Sequence, residues 1–221
     1  MRRLYGLADN RRAGSLANRF RRQRFALFAS LLGSLPRPVR VLDVGGTELF
    51  WHHMGGPEQL GVQLVLLNQH PSSPQAGIEA VTGDGRDMAR FGDDAFDVVF
   101  SNSVIEHLGA WREQQRMAGE IRRVGRRFFV QTPSRHFPIE PHFLVPGFQF
   151  LPQSVRVGLV RRFALGYHEV MPNADEARRA VEEIRLLSSG ELRLLFPGAE
   201  LYRERVLGMT KSFVAYGGWR R

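Results

Sequence analysis

The stretch Arg40–Phe50, R-V-L-D-V-G-G-T-E-L-F, constrains the fold more than any other part of the chain. Val41, Leu42 and Val44 favour extended structure, the run ends in an acid, and two glycines follow at once. Gly45 and Gly46 permit a tight turn in which no side chain obstructs an approaching ligand. A loop of this kind, between the first strand and the next helix of an open α/β sheet, is where a nucleotide-like molecule sits, with helix amides facing an anionic group.

Further segments continue the pattern. V-Q-L-V-L-L-N (62–68) and I-E-A-V-T (78–82) read as buried parallel strands, and T-G-D-G-R-D-M (82–88) follows the third strand directly. F-D-V-V-F-S-N-S-V-I-E-H-L (96–108) supplies a fourth strand and the start of a helix expected to run to about Val124, and F-F-V-Q-T (128–132) a fifth strand. In their order and spacing these segments resemble the class I S-adenosylmethionine-dependent methyltransferases, in particular the small type 11 group. The resemblance covers roughly 38–134 and resumes near 188–216.

That resemblance implies an α/β, Rossmann-like three-layer sandwich: a mostly parallel seven-stranded sheet closed by an antiparallel carboxy-terminal hairpin, here L-Y-R-E-R-V-L (201–207) and K-S-F-V-A-Y-G (211–217). It implies S-adenosyl-L-methionine as cofactor. Asp43, Gly45 and Gly46 are expected at its amino-acid end, Asn68 at the ribose, Asp84 and Gly85 at the adenine, and Ser101 and Asn102 beside the methyl group. Two positions depart from the family pattern. Thr47 stands where a glycine is usual, and Asn68 replaces the customary acid, giving up a charge-assisted bond to the ribose hydroxyls. Asp97 resembles the family's structural aspartate.

Composition narrows the chemistry. A length of 221 residues with 43% apolar content suits one domain, spanning 1–221, with a packed core. It is expected to carry a basic, amphipathic helical extension over 1–36 and a substrate-lid insertion over 134–186. No cysteine is present, which excludes disulfides, thiolate metal sites and cysteine nucleophiles; with the family comparison it also excludes the cytosine-C5 methyltransferases. The net charge of +9 rests almost wholly on arginine, Lys211 being the only lysine. Such a balance favours anionic partners, including nucleic acid and phospholipid surfaces.

Within the extension, residues 1–14 read as a loose basic segment, and a helix is expected over about 15–34 with Leu16, Phe20, Leu27, Leu31 and Leu35 near one stripe. The basic cluster before 25–35 looks like a signal peptide, but no small-residue cleavage site follows and Pro36 and Pro38 lead straight into the first strand; a cytoplasmic location is expected. The same helix offers possible contact with a membrane surface. The insertion, dense in aromatics and prolines over 135–152, is expected to bring Phe137, Phe143, Phe148 and Phe150 over an apolar acceptor.

Three histidines are candidates for acting on the acceptor as acid or base: His107 in the E-H pair at 106–107, and His136 and His142, which with Glu140 are the polar members of the insertion. No metal centre is expected from these spacings, and the adjacent His52 and His53 would diverge on a helix. The expected activity is in-line methyl transfer to a small, apolar or lipid-like acceptor, the donor being already activated so that the protein chiefly aligns the reactants. The alternatives are a non-catalytic S-adenosylmethionine-binding protein of the same fold, and an RNA methyltransferase. Nucleic acid is disfavoured because S-N-S-V stands where the base-modifying enzymes carry an Asn/Asp-Pro-Pro-aromatic motif. A nicotinamide enzyme would need G-x-G-x-x-G, which is absent. Oligomeric state is left open by the sequence.

Overall fold

Alternation along the strands dictates the layering. In a computed structural model that describes residues 16–70 and 77–219, β1 (Val39–Val44) turns Val39 and Val41 to one face of the sheet and Leu42 and Val44 to the other, all buried. β2 (Val62–Asn68), β4 (Val98–Asn102) and β5 (Phe128–Pro133) divide their apolar residues in the same way, and β3 (Ile78–Thr82) flanks β2. Both faces therefore demand cover.

The seven strands run β3-β2-β1-β4-β5-β7-β6. The first five are parallel, while β7 (Met209–Gly217) pairs antiparallel with both β5 and β6 (Glu200–Val206). Strand order reverses between β1 and β4, so the crevice for a ligand lies beyond their carboxyl ends. This is the expected sheet, hairpin included.

One face is covered by α1 (Leu16–Leu32) and α2 (Glu48–His53). The stripe that α1 buries is Phe25, Phe28 and Leu32; Leu27, Leu31 and Leu35 lie at its margin rather than its centre, and Leu16 and 1–14 fall outside what is described of the side chains. The helix is rotated toward the larger rings because Phe28 meets Phe100 and Phe129 at 4.8 and 5.1 Å between ring centres. Arg24, on the same side, is buried. It forms a two-pronged ion pair with Glu204 of β6, at 2.9 and 2.7 Å, and also donates to the Asn102 side-chain oxygen.

The opposite face is covered by α4 (Trp111–Val124) and α7 (Ser189–Leu195). The helix expected to start at Ser103 is divided in two. Ile105–Leu108 form a single 3₁₀ turn, Gly109 follows with a left-handed φ of 65°, and only then does α4 begin. The first crossover is likewise split into α2 and α3 (Gly56–Gln59) at Gly55. α7 starts at a capping box made by Ser188 and Glu191, as its sequence predicts.

Beyond its aromatic stretch the insertion is helical. After a 3₁₀ turn at Phe148–Phe150 it forms α5 (Gln153–Val160) and α6 (Ala174–Glu182) around a small core of its own, with Phe143, Phe148, Val160, Ala177 and Val181 buried together. Phe143 and Phe148 are thus spent on holding the insertion together, Phe137 is half-buried, and Phe150 is 55% exposed. The four rings do not form one apolar roof.

Candidate functional site

Asp43, the penultimate residue of β1, is buried, and the Trp51 indole N–H of α2 donates to its Oδ2 at 2.8 Å. Its Oδ1 has no hydrogen-bond partner among the described residues. Burial pushes the carboxyl up to about 7, against the smaller opposing effect of the Trp51 bond. The glycine loop closes around it: Gly45 takes φ 78°, and a Cβ on Gly46 would lie 1.7 Å from Asp43 Oδ2. Thr47, at the departure from the family pattern, caps α2 by accepting from the Phe50 N–H. The loop's geometry is therefore set by a helix cap where a further glycine was expected.

Neighbouring side chains brace this loop. The Asn68 amide donates to the Gly46 carbonyl at 3.0 Å, and the buried Ser101 hydroxyl donates to the Val44 carbonyl at 3.1 Å. Asp84, after β3, is gripped by the Arg86 backbone and guanidinium, which hold its carboxyl below the usual range. Gly85 is close-packed, since a Cβ there would lie 2.7 Å from Val44. Asp97 accepts from the Arg40 N–H at 2.9 Å and so pins β1 beside β4.

A second constellation lies past the ends of β4 and β5. Glu106 is fully buried; one carboxylate oxygen accepts from the Thr132 hydroxyl at 3.0 Å and the other, Oε1, has no partner among the described residues. His107 and His142 meet edge to face at 4.7 Å between ring centres. Glu140, itself buried, accepts from the backbone N–H groups of His142 and Phe143 and lies 2.7 Å from His142 Nδ1. Burial raises Glu106 to about 7 and lowers His107 to about 4. Burial also works against the charge on His142, but its bond to Glu140 and the nearby carboxylates outweigh this and raise it. Ligand atoms of Glu106, His107 and His142 all lie within 4.8 Å of one another.

Of the three expected histidines, two therefore come together, while His136 is exposed on the turn after β5. Beside this cluster a cavity of about 180 Å³ opens within the insertion, with Glu140, Phe148, Gln149, Arg135, Arg156 and Arg185 in its walls. Trp51 as the partner of Asp43 and Arg24 at Asn102 carry no sequence signal beyond an aromatic on one helix and a charge on another. Glu106 with His142 could be joined only by knowing how the insertion folds back.

Residues 58–127 match the family model described as a methyltransferase domain. The strand order and the flanking helices are those of the Rossmann-like methyltransferase fold. Solved structures share the fold at low identity. The 1,6-didemethyltoxoflavin N1-methyltransferase of Burkholderia thailandensis, solved with 1,6-didemethyltoxoflavin and S-adenosylhomocysteine, is 14% identical, with 89% of this chain and 76% of that one covered at a TM-score of 0.55. The PH0226 protein of Pyrococcus horikoshii OT3 is 18% identical over 92% of each chain, also at 0.55. A SAM-dependent methyltransferase of Methanosarcina mazei is 12% identical over 83% and 93% at 0.51. No curated protein matches the sequence. Among the described residues, no helix is long and apolar enough to cross a membrane.

Proposed function

We propose that the chain transfers a methyl group from S-adenosylmethionine to a small acceptor that pairs an apolar body with a polar group. The observation that carries the reading is the orphaned, fully buried Asp43 Oδ1 behind a loop where added Cβ atoms would collide. A buried carboxylate oxygen without a partner is costly, and the donor's ammonium group is the partner it lacks. Asn68, its N–H already given to the loop, has its carbonyl oxygen to receive a ribose hydroxyl; Asp84 and Gly85 take the adenine side, and Asn102 faces the methyl side.

When bound, the donor supplies an activated sulfonium methyl, so this chain's residues have to align an acceptor rather than form a covalent intermediate. His107 and His142 are the groups that position the acceptor's nucleophilic atom, with Glu140 fixing the His142 ring; His136 stands at the rim of the insertion. The acceptor enters from the cavity beside Glu140. That wall carries the Gln149 side-chain oxygen and Arg156 Nε, neither with a hydrogen-bond partner among the described residues, alongside Phe148. These groups suit a polar substituent on an otherwise apolar molecule better than a plain hydrocarbon, which narrows the lipid-like expectation.

Calorimetric titration with S-adenosylhomocysteine tests the donor assignment: saturable binding that Asp43→Ala removes is expected, and unchanged affinity in that variant would reject it. Incubation with cell extract and methyl-labelled donor then asks whether a small metabolite or RNA takes the label. A product in the small-molecule fraction supports the reading; label confined to RNA would move it to the alternative that the +9 charge suggests.

A further inference from the structure

We infer that Glu106, His107 and His142 form a binding site for one divalent first-row transition metal ion. Three observations converge. Ligand atoms of all three residues lie within 4.8 Å of one another, although the residues come from the turn after β4 and from the insertion. Metal–nitrogen and metal–oxygen bonds near 2.1 Å place tetrahedral ligand atoms about 3.4 Å apart, so small side-chain rotations close the site.

The second observation is the state of Glu106. It is completely buried, one oxygen is held by Thr132, and the other has no hydrogen-bond partner among the described residues. A group buried in this way is explained by a ligand more readily than by a packing role, because an unpartnered buried oxygen destabilises the fold for no gain.

The third is the support behind His142. Its Nδ1 lies 2.7 Å from Glu140 Oε1, while the other Glu140 oxygen is locked by two backbone N–H groups at 2.7 and 2.6 Å. A carboxylate that accepts a hydrogen bond from the Nδ1–H fixes the tautomer and leaves Nε2 with a free lone pair, the arrangement that orients metal-bound imidazoles. The backbone that carries this side chain is close-packed, since a Cβ on Gly166 would lie 2.1 Å from the His142 carbonyl oxygen. One carboxylate and two imidazoles, with no thiolate in the chain, suit Zn²⁺, Fe²⁺, Mn²⁺ or Co²⁺ rather than Ca²⁺ or Cu⁺.

Three protein ligands leave coordination positions open, and these would take an oxygen or nitrogen of the acceptor. That role rests on the methyl-transfer reading; the site itself does not. Chelator-treated full-length protein is titrated with Co²⁺ in the absence of donor, following visible d–d absorption, and separately with Zn²⁺ by calorimetry. One equivalent per chain is expected. Glu106→Gln and His142→Ala are each expected to lower affinity at least 100-fold. Glu140→Gln should lower it about 10- to 100-fold with stoichiometry preserved, and the exposed His53→Ala should leave it unchanged.

Thermal melts identify variants that fail to fold, and His107→Gln then serves in place of any that do. No saturable binding below millimolar metal, or binding that survives in both Glu106→Gln and His142→Ala, overturns the site. Because the titration contains no donor, a failure here leaves the S-adenosylhomocysteine result standing, and a failure of donor binding leaves this one.

Discussion

Protonation of Asp43 and donor binding should be linked. Without ligand its buried carboxyl holds a proton up to about pH 7, mainly through desolvation. A donor ammonium at Oδ1 favours the ionised form, so binding below that pH must first expel a proton. For a group with pKa 7 in the free protein that is fully ionised in the complex, the apparent dissociation constant scales as 1 + 10^(7 − pH). From pH 7.0 down to 5.5 that factor rises from 2 to about 33, a weakening of about 16-fold or ~1.7 kcal/mol. The assay is calorimetry with S-adenosylhomocysteine over that range in buffers of different ionisation heat, which also counts the proton released. Asp43→Asn keeps the shape and can still accept from Trp51, but has no charge to change; it should bind weakly with a flat profile across these pH values. A flat profile in the native chain, or an equal slope in Asp43→Asn, would refute the reasoning, since the proton would then belong to another group.

Stability should follow the same carboxyl with the opposite demand. Its folded pKa lies above the ordinary 3.8, so the stabilisation it gives is complete below about pH 4 and lost as pH rises toward 7, an upper bound of about 4 kcal/mol that chemical denaturation of Asp43→Asn against the native chain would reveal. Gly46→Ala should abolish donor binding while the sheet persists by circular dichroism, because its Cβ would lie 1.7 Å from Asp43 Oδ2. Arg24→Met should cost about 3–5 kcal/mol in urea denaturation by leaving Glu204 buried and uncompensated, with part recovered in Arg24→Met/Glu204→Met; equal losses in single and double variants would contradict this. Phe28→Ala, emptying the centre of the aromatic layer, should cost about 3–5 kcal/mol by the same measurement.

The sheet and the glycine loop were legible because both obey local rules. Each parallel strand is a short apolar run, and Asp43, Gly45 and Gly46 are chain neighbours whose geometry follows from one turn. Helix boundaries were legible where side chains cap them, as at Ser188 with Glu191, and missed where a single glycine outweighed an unbroken apolar pattern, as at Gly109. The insertion defeated the reading for another reason. Its aromatics are equally consistent with lining a cleft or filling a core, and only the arrival of Val160, Ala177 and Val181 decides that Phe143 and Phe148 fill one. The meeting of Glu106 with His142 depends on that same folding, so no spacing rule could have announced it.

The ion pair that Arg24 makes reaches 180 positions along the chain to Glu204. At a synthesis rate of roughly 5–20 residues per second, the leading helix waits about 9–36 s for the hairpin that neutralises its guanidinium. During that interval Phe25, Phe28 and Leu32 have neither their full bed nor their anchor. The nascent polypeptide thus presents a greasy, cationic segment to the cell before the closing strands arrive, and truncation just ahead of β6 should yield a product that chaperones retain.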